Sequence, residues 1–202
     1  MAKYKKSIFF FVLILLIAGA GYLFRGRLFP PSAKSERQPP LSEAAAGEYE
    51  SEAFSFSFSY SSVHTVREES QSSVALVNKE TGREEARLDV ILESGDVEVP
   101  YEQFVLDESR ALCEAAGANL SCREVKDLSS IVNKNGLSAQ KFYLVLEEKL
   151  EDSVTSREKG PFYAFNFSEN TPGKMSFILI HPPIASRGSV DLLSKIADSF
   201  AF

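Results

Sequence analysis

The sequence predicts an α+β domain, an antiparallel sheet flanked by helices, behind a single N-terminal transmembrane helix. Three observations carry that prediction. Ile8–Phe24 runs for seventeen residues without a charge. Beyond residue 52, several short segments alternate apolar and polar residues with the two-residue period of strands. Two segments, one in the middle and one at the end, repeat instead with the spacing of a helix.

Taken in order, IFFFVLILLIAGAGYLF at Ile8–Phe24 would reach roughly 26 Å as a helix, enough for a thin hydrocarbon core. Lys3, Lys5, Lys6 and the terminal amine precede it and Arg25 and Arg27 follow. That bias orients the N-terminus inside and the remaining chain outside the cytoplasm. A second reading of the same residues is a secretory signal cleaved after Ala18-Gly19-Ala20. Continuation of the apolar run through Phe24 favours a retained signal-anchor, and both readings place the remaining chain outside. Residues 1–7 are then a short cytoplasmic end, 8–24 the anchor, 25–51 a flexible linker and 52–202 the folded domain. The linker carries paired prolines, serines and charges, with little apolar surface to offset the entropy of ordering.

The domain opens on FSFSFSY at Phe54–Tyr60, where four aromatic residues share one face of a strand and three serines the other. No serine stands in a nucleophile elbow. A short strand over Val63–Arg67 precedes a hairpin of Ser72–Asn78 and Glu84–Leu92, turning through Lys79-Glu80-Thr81-Gly82. Pro100 starts a helix that ends near Gly117, with Phe104, Glu108, Ala111, Leu112 and Ala115 towards one side. Leu120–Val132 reads as a strand, Asn135-Gly136 as a turn, and Ala139–Leu150 as a strand with Phe142, Leu144 and Leu146 on one face. Residues 151–160 are charged and turn-like. In Pro161–Phe167, Tyr163, Phe165 and Phe167 face one way and Phe162, Ala164 and Asn166 the other. After a turn at Asn170–Lys174, Met175–Ile180 forms the last strand. A helix opening at Gly188 or Ser189 then turns Leu192, Leu193, Ile196, Ala197 and Phe200 towards a core. The helices cover either one face of the sheet together or one face each.

Composition bounds the chemistry. The whole chain carries a net charge of −6, but beyond residue 30 there are 17 basic and 28 acidic groups, a net of −11. Nucleic acid and anionic lipid surfaces would repel such a domain. Sixteen Phe and no Trp predict a phenylalanine-rich core. Cys113 and Cys122, the only cysteines, are either a structural disulfide or two buried thiols; their spacing is not that of a redox CxxC motif. His64 and His181, the only histidines, read as ordinary strand-end residues, since no metal-ligand spacing surrounds them. The acidic groups Asp96 and Glu98, and Glu147, Glu148, Glu151 and Asp152, lack the spacing of a calcium loop. Asn119-Leu-Ser121 and Asn166-Phe-Ser168 match the glycosylation sequon, beside or within strands. No nucleotide-binding loop or HExxH motif occurs, and no cofactor is expected.

The opening FSFSFSY, the hairpin Ser72–Leu92, the strand pair spanning Ala139–Phe167 and the final helix running into DSFAF at Asp198–Phe202 resemble the PsbP-like family. The resemblance covers about residues 52–202. It implies an α/β/α sandwich around an antiparallel sheet, in a family of extrinsic luminal photosystem II subunits and exported bacterial proteins. It implies a noncatalytic domain for binding or assembly and supplies no catalytic or metal-ligating positions. The expected function is therefore docking of a protein partner, or support of an envelope complex, by a domain held to the membrane through residues 8–24. The alternative is a tethered module for a small ligand or cation. A concave apolar pocket with convergent polar groups would favour that alternative.

Overall fold

The computed structural model describes residues 47–93, 99–171, 173–186 and 188–202. The segment Ile8–Phe24, the Ala18-Gly19-Ala20 junction, most of the linker, and Asp96 and Glu98 lie outside those residues. Among the described residues no helix is long and apolar enough to cross a membrane.

Seven strands form one antiparallel sheet: β3 (His64–Ser70), β4 (Ser73–Asn78), β5 (Glu84–Leu92), β6 (Leu120–Val132), β7 (Ser138–Lys149), β8 (Val154–Asn166) and β9 (Ser176–His181). Their order across the sheet is β3-β4-β5-β9-β8-β7-β6. The last strand in the sequence thus sits in the middle, between β5 and β8. All six residues of β9 are buried. A strand covered on both faces must be apolar on both, and SFILIH meets that requirement. Phe177 and Leu179 enter one core while Ile178 and Ile180 enter the other.

Each face carries one helix. The helix α1 (Tyr101–Ala115) brings Phe104, Val105 and Cys113 down on Phe142, Leu144 and Leu146 of β7, Phe162 of β8 and Phe177 of β9. The helix α2 (Val190–Ser199) brings Leu192, Leu193, Ile196 and Ala197 to the opposite face, joined by the following Phe200. Its first turn is capped by Ser189, whose Oγ accepts from the Leu192 amide. Phe200 packs on Phe165 with ring centroids 4.6 Å apart, and each phenylalanine so buried stabilises the fold by about 1.5–3 kcal/mol. The division of β8 into two aromatic faces, and the whole apolar stripe of α2, match the sequence pattern.

Four expectations need correction. The end of the stretch read as linker is a strand, β1 (Gly47–Ser51), paired antiparallel with β2 (Phe56–Tyr60). Its one large apolar residue, Tyr49, packs on Phe58 at 5.2 Å. Gly47 admits the ring of Tyr60, which would stand 2.5 Å from any Cβ there. Phe54 and Ser55 belong to the turn between β1 and β2, not to the strand; Ser55 has φ 53° and its amide donates to the Ser51 carbonyl. The charged tract is turn-like only to residue 153. From Val154 it runs as β8, because cross-strand pairing with β7 continues through Lys149↔Val154 although every side chain from 154 to 158 is exposed. Finally, α1 buries Phe104, Val105, Ser109 and Cys113 rather than the face containing Glu108 and Ala111.

Candidate functional site

The interior strand β5 places charged side chains where a buried sheet would be expected to exclude them. Arg87 and Asp89 share the α1 face of the sheet, Arg87 directly opposite His181 of β9 and Asp89 opposite Leu179. Together with Glu84 they floor a cleft of about 300 Å³. Its walls are Leu112, Ala115 and Ala116 from the end of α1, and Pro183, Ile184 and Ala185 from the chain after β9. This is a concave site with apolar walls and polar groups at its base.

Those polar groups engage one another. His181 Nε2 lies 2.8 Å from Asp89 Oδ2, and His181 Nδ1 lies 2.9 Å from the Pro182 carbonyl oxygen. Both ring nitrogens thus face oxygen atoms of the protein. The ring is stacked on Phe162, at 5.7 Å and 3° from parallel. Burial pushes the Asp89 carboxyl up, but the hydrogen bond and charge of His181, with Arg87 beyond, outweigh it and leave Asp89 below the usual carboxylate value. Arg87 donates from Nε and Nη2 to the two oxygens of Glu84 at 2.8 and 3.0 Å. That bond with Glu84 outweighs the effect of burial and raises Arg87 further above its ordinary value. Each ring nitrogen of His181 is thus occupied by a protein partner. The His181–Asp89 pair therefore acts as a strut between β5 and β9.

His64, the first residue of β3, makes a second pair on the same strand β5. Its Nε2 lies 2.9 Å from Glu85 Oε2, while Asn78 Nδ2 donates to Glu85 Oε1 at 3.1 Å. Both histidines stand at strand ends, as expected, but both are buried. His64 Nδ1 is buried without a partner among the described residues. The two pairs do not converge into a ligand set. Among the described residues, no group of three His, Cys, Asp or Glu side chains is arranged to hold a metal.

No family model and no curated protein matches the chain. Among solved structures, it is similar to the solution structure of cyanobacterial PsbP (CyanoP) from Synechocystis sp. PCC 6803. The TM-score is 0.46 and the identity 11%, over 81% of this chain and 95% of that one.

The other residues singled out in the sequence are dispersed. Cys113 of α1 and Cys122 of β6 lie with their sulfurs in bonding contact and their Cα atoms 6.1 Å apart, inside the range a disulfide spans. Glu147 and Glu148 lie in β7, Glu147 3.4 Å from Arg123, while Glu151 and Asp152 occupy the exposed turn before β8. Asn119 is exposed in the turn before β6; Asn166 ends β8, where its Oδ1 accepts from the Ser168 amide. A second recess, about 420 Å³, lies beside Glu50, Glu52 and Glu68. There burial, then Glu68, pushes the Tyr49 hydroxyl up to about 12. The residues missed by sequence reasoning are Glu85, Arg87 and Asp89. Their signal was faint: an alternation of charges with Ala86, Leu88 and Val90 in a strand otherwise read for its apolar face.

Proposed function

We infer that the chain is a membrane-tethered, extracytoplasmic, noncatalytic domain that docks a protein partner or supports assembly of an envelope complex. The tether is Ile8–Phe24, and the oxidising side of a membrane is where Cys113 and Cys122 would pair. The observation that carries docking is the outermost strand β6, thirteen residues long and paired on one side only among the described residues. Its first half is guarded against indiscriminate pairing by two irregularities, with Asp127 at φ 52°. Its last four residues, Ser129–Val132, run in regular register with β7 and end in Val132, 68% exposed. An extended segment of a partner could add there as a further strand. The acidic excess of the domain selects for a partner with basic character.

Noncatalytic is supported by His181, whose ring nitrogens are both committed to structural bonds. A second reading, a small-ligand module, draws on the 300 Å³ cleft. Against it, Glu84 and Arg87, and Asp89 and His181, already engage one another within that cleft.

A membrane-impermeant amine crosslinker, applied to intact cells after any wall is removed, tests the leading reading. Crosslinks from Lys134, an exposed residue just beyond β6, to one reproducible partner are expected. Absence of any such crosslink, together with tight binding of a small molecule that is lost on Arg87→Ala, would overturn docking in favour of the cleft.

A further inference from the structure

Lys159 is the one position where the domain buries a full charge without an opposite charge beside it among the described residues. It lies in β8 opposite Leu144, so its side chain enters the α1 face of the sheet, and it is only 7% exposed. Its Nζ donates to the Ser186 carbonyl in the chain between β9 and α2. An ammonium has three donors, and no second acceptor and no carboxylate meets this one among the described residues. Elsewhere in this acidic domain the cations Arg67, Arg87, Arg110, Arg123 and Lys134 each stand against a carboxylate. Burial, then the nearby Arg157 guanidinium, pushes the Lys159 ammonium down to about 8.

Arg157 adds a second charge of the same sign. It lies two residues earlier in β8, opposite Leu146, on the same face as Lys159, and it is exposed. It too lacks a carboxylate partner among the described residues. Two adjacent cations, one sunk into the core and one at the surface, repel each other and leave hydrogen-bond donors unmet. One group relieves both defects: an anion with several oxygens, reaching Lys159 past Arg157.

We propose that Lys159 and Arg157 hold a small oxyanion, a phosphate or carboxylate group, where β8 meets the chain leading into α2. This goes beyond docking by β6, which lies two strands away, and depends on neither the partner nor the cleft. Binding would tie β8 to the loop that positions α2, because the same ammonium bonds Ser186.

The test uses the full chain in phosphatidylcholine nanodiscs, melted in phosphate, in acetate and in chloride at matched ionic strength. Because a ligand that binds only the native state raises its stability, phosphate or acetate should raise the melting temperature above that in chloride. The shift should vanish in Lys159→Met and shrink in Arg157→Ala. Nanodiscs containing phosphatidic acid identify the source: a rise there without added phosphate assigns the site to a lipid headgroup, and no rise assigns it to a soluble anion. The proposal is overturned if the wild-type protein shows no shift under any of these conditions, or if all three proteins shift alike. Should Lys159→Met not fold, an undiminished shift in Arg157→Ala overturns it alone.

Discussion

Lys159 also sets a pH dependence with an unusual sign. Its ammonium is held at about 8, below the ordinary value of 10.5. Below pH 8 both folded and unfolded chains carry the proton, and the burial cost is fully present. Between 8 and 10.5 the unfolded chain keeps the proton while the folded chain has released it, so stability rises with pH across that window. In chloride buffer, melting curves of the wild-type protein should therefore gain stability from pH 8 to 10 relative to Lys159→Met, which lacks the group. Parallel curves would show that the amine is not desolvated. The sequence concealed this residue because SREKGP reads as a polar turn, and one lysine among charged neighbours gives no hint of burial. His181 was visible as a residue type at a strand end, but its partner Asp89 lies 92 positions away. Local patterns carry no information about which distant carboxylate a strand order will bring alongside.

Between elements, Asn133 is the most heavily used side chain. Its Nδ2 donates to the carbonyls of Ala197 and Phe200 at 3.1 and 2.7 Å, closing the end of α2. Its Oδ1 accepts from the amides of Asn135 and Leu137 at 3.0 and 2.9 Å, shaping the β6–β7 turn. One 6%-exposed amide thus joins a hairpin to a helix terminus. Replacing it with alanine strips the Ala197 carbonyl of its side-chain donor, leaves the Phe200 carbonyl only Asn135 Nδ2, and frees the Asn135 and Leu137 amides, so denaturant unfolding should show a loss of about 2–4 kcal/mol. A loss below about 0.5 kcal/mol, the range of ordinary surface substitutions, would contradict this role. At this scale the sequence was most legible where burial differs between faces: β8, β9 and α2 announce themselves by spacing. It was least legible where pairing alone makes the element. The strand β1 has only Tyr49 to mark it, and the first five residues of β8 have no buried side chain at all. The face of α1 was misread because Ser109, buried by its hydrogen bond to the Val105 carbonyl at 2.7 Å, looks polar in the sequence.

Across the whole molecule, the pairing proposed for Cys113 and Cys122 would fasten α1 to the outer strand β6 through a loop with a separation of 9 residues. Such a short loop contributes about 2–3 kcal/mol. Denatured, unreduced protein should resist thiol alkylation, and a Cys113→Ser, Cys122→Ser double variant should unfold at correspondingly lower denaturant. Two thiols that alkylate without reductant would refute the pairing. The two cores differ in how soon they can close. The α1 core needs nothing beyond Ile184, whereas the α2 core joins both ends of the domain. Ser57 and Ala201 exchange backbone hydrogen bonds, and the Ser59 amide bonds Ser199 Oγ across 140 residues. A ribosome adding 5–20 residues per second needs roughly 7–30 s to cover that interval. During it the aromatic face of β2 has no helix to close over it. Until α2 is made, that face has only the sheet to cover it.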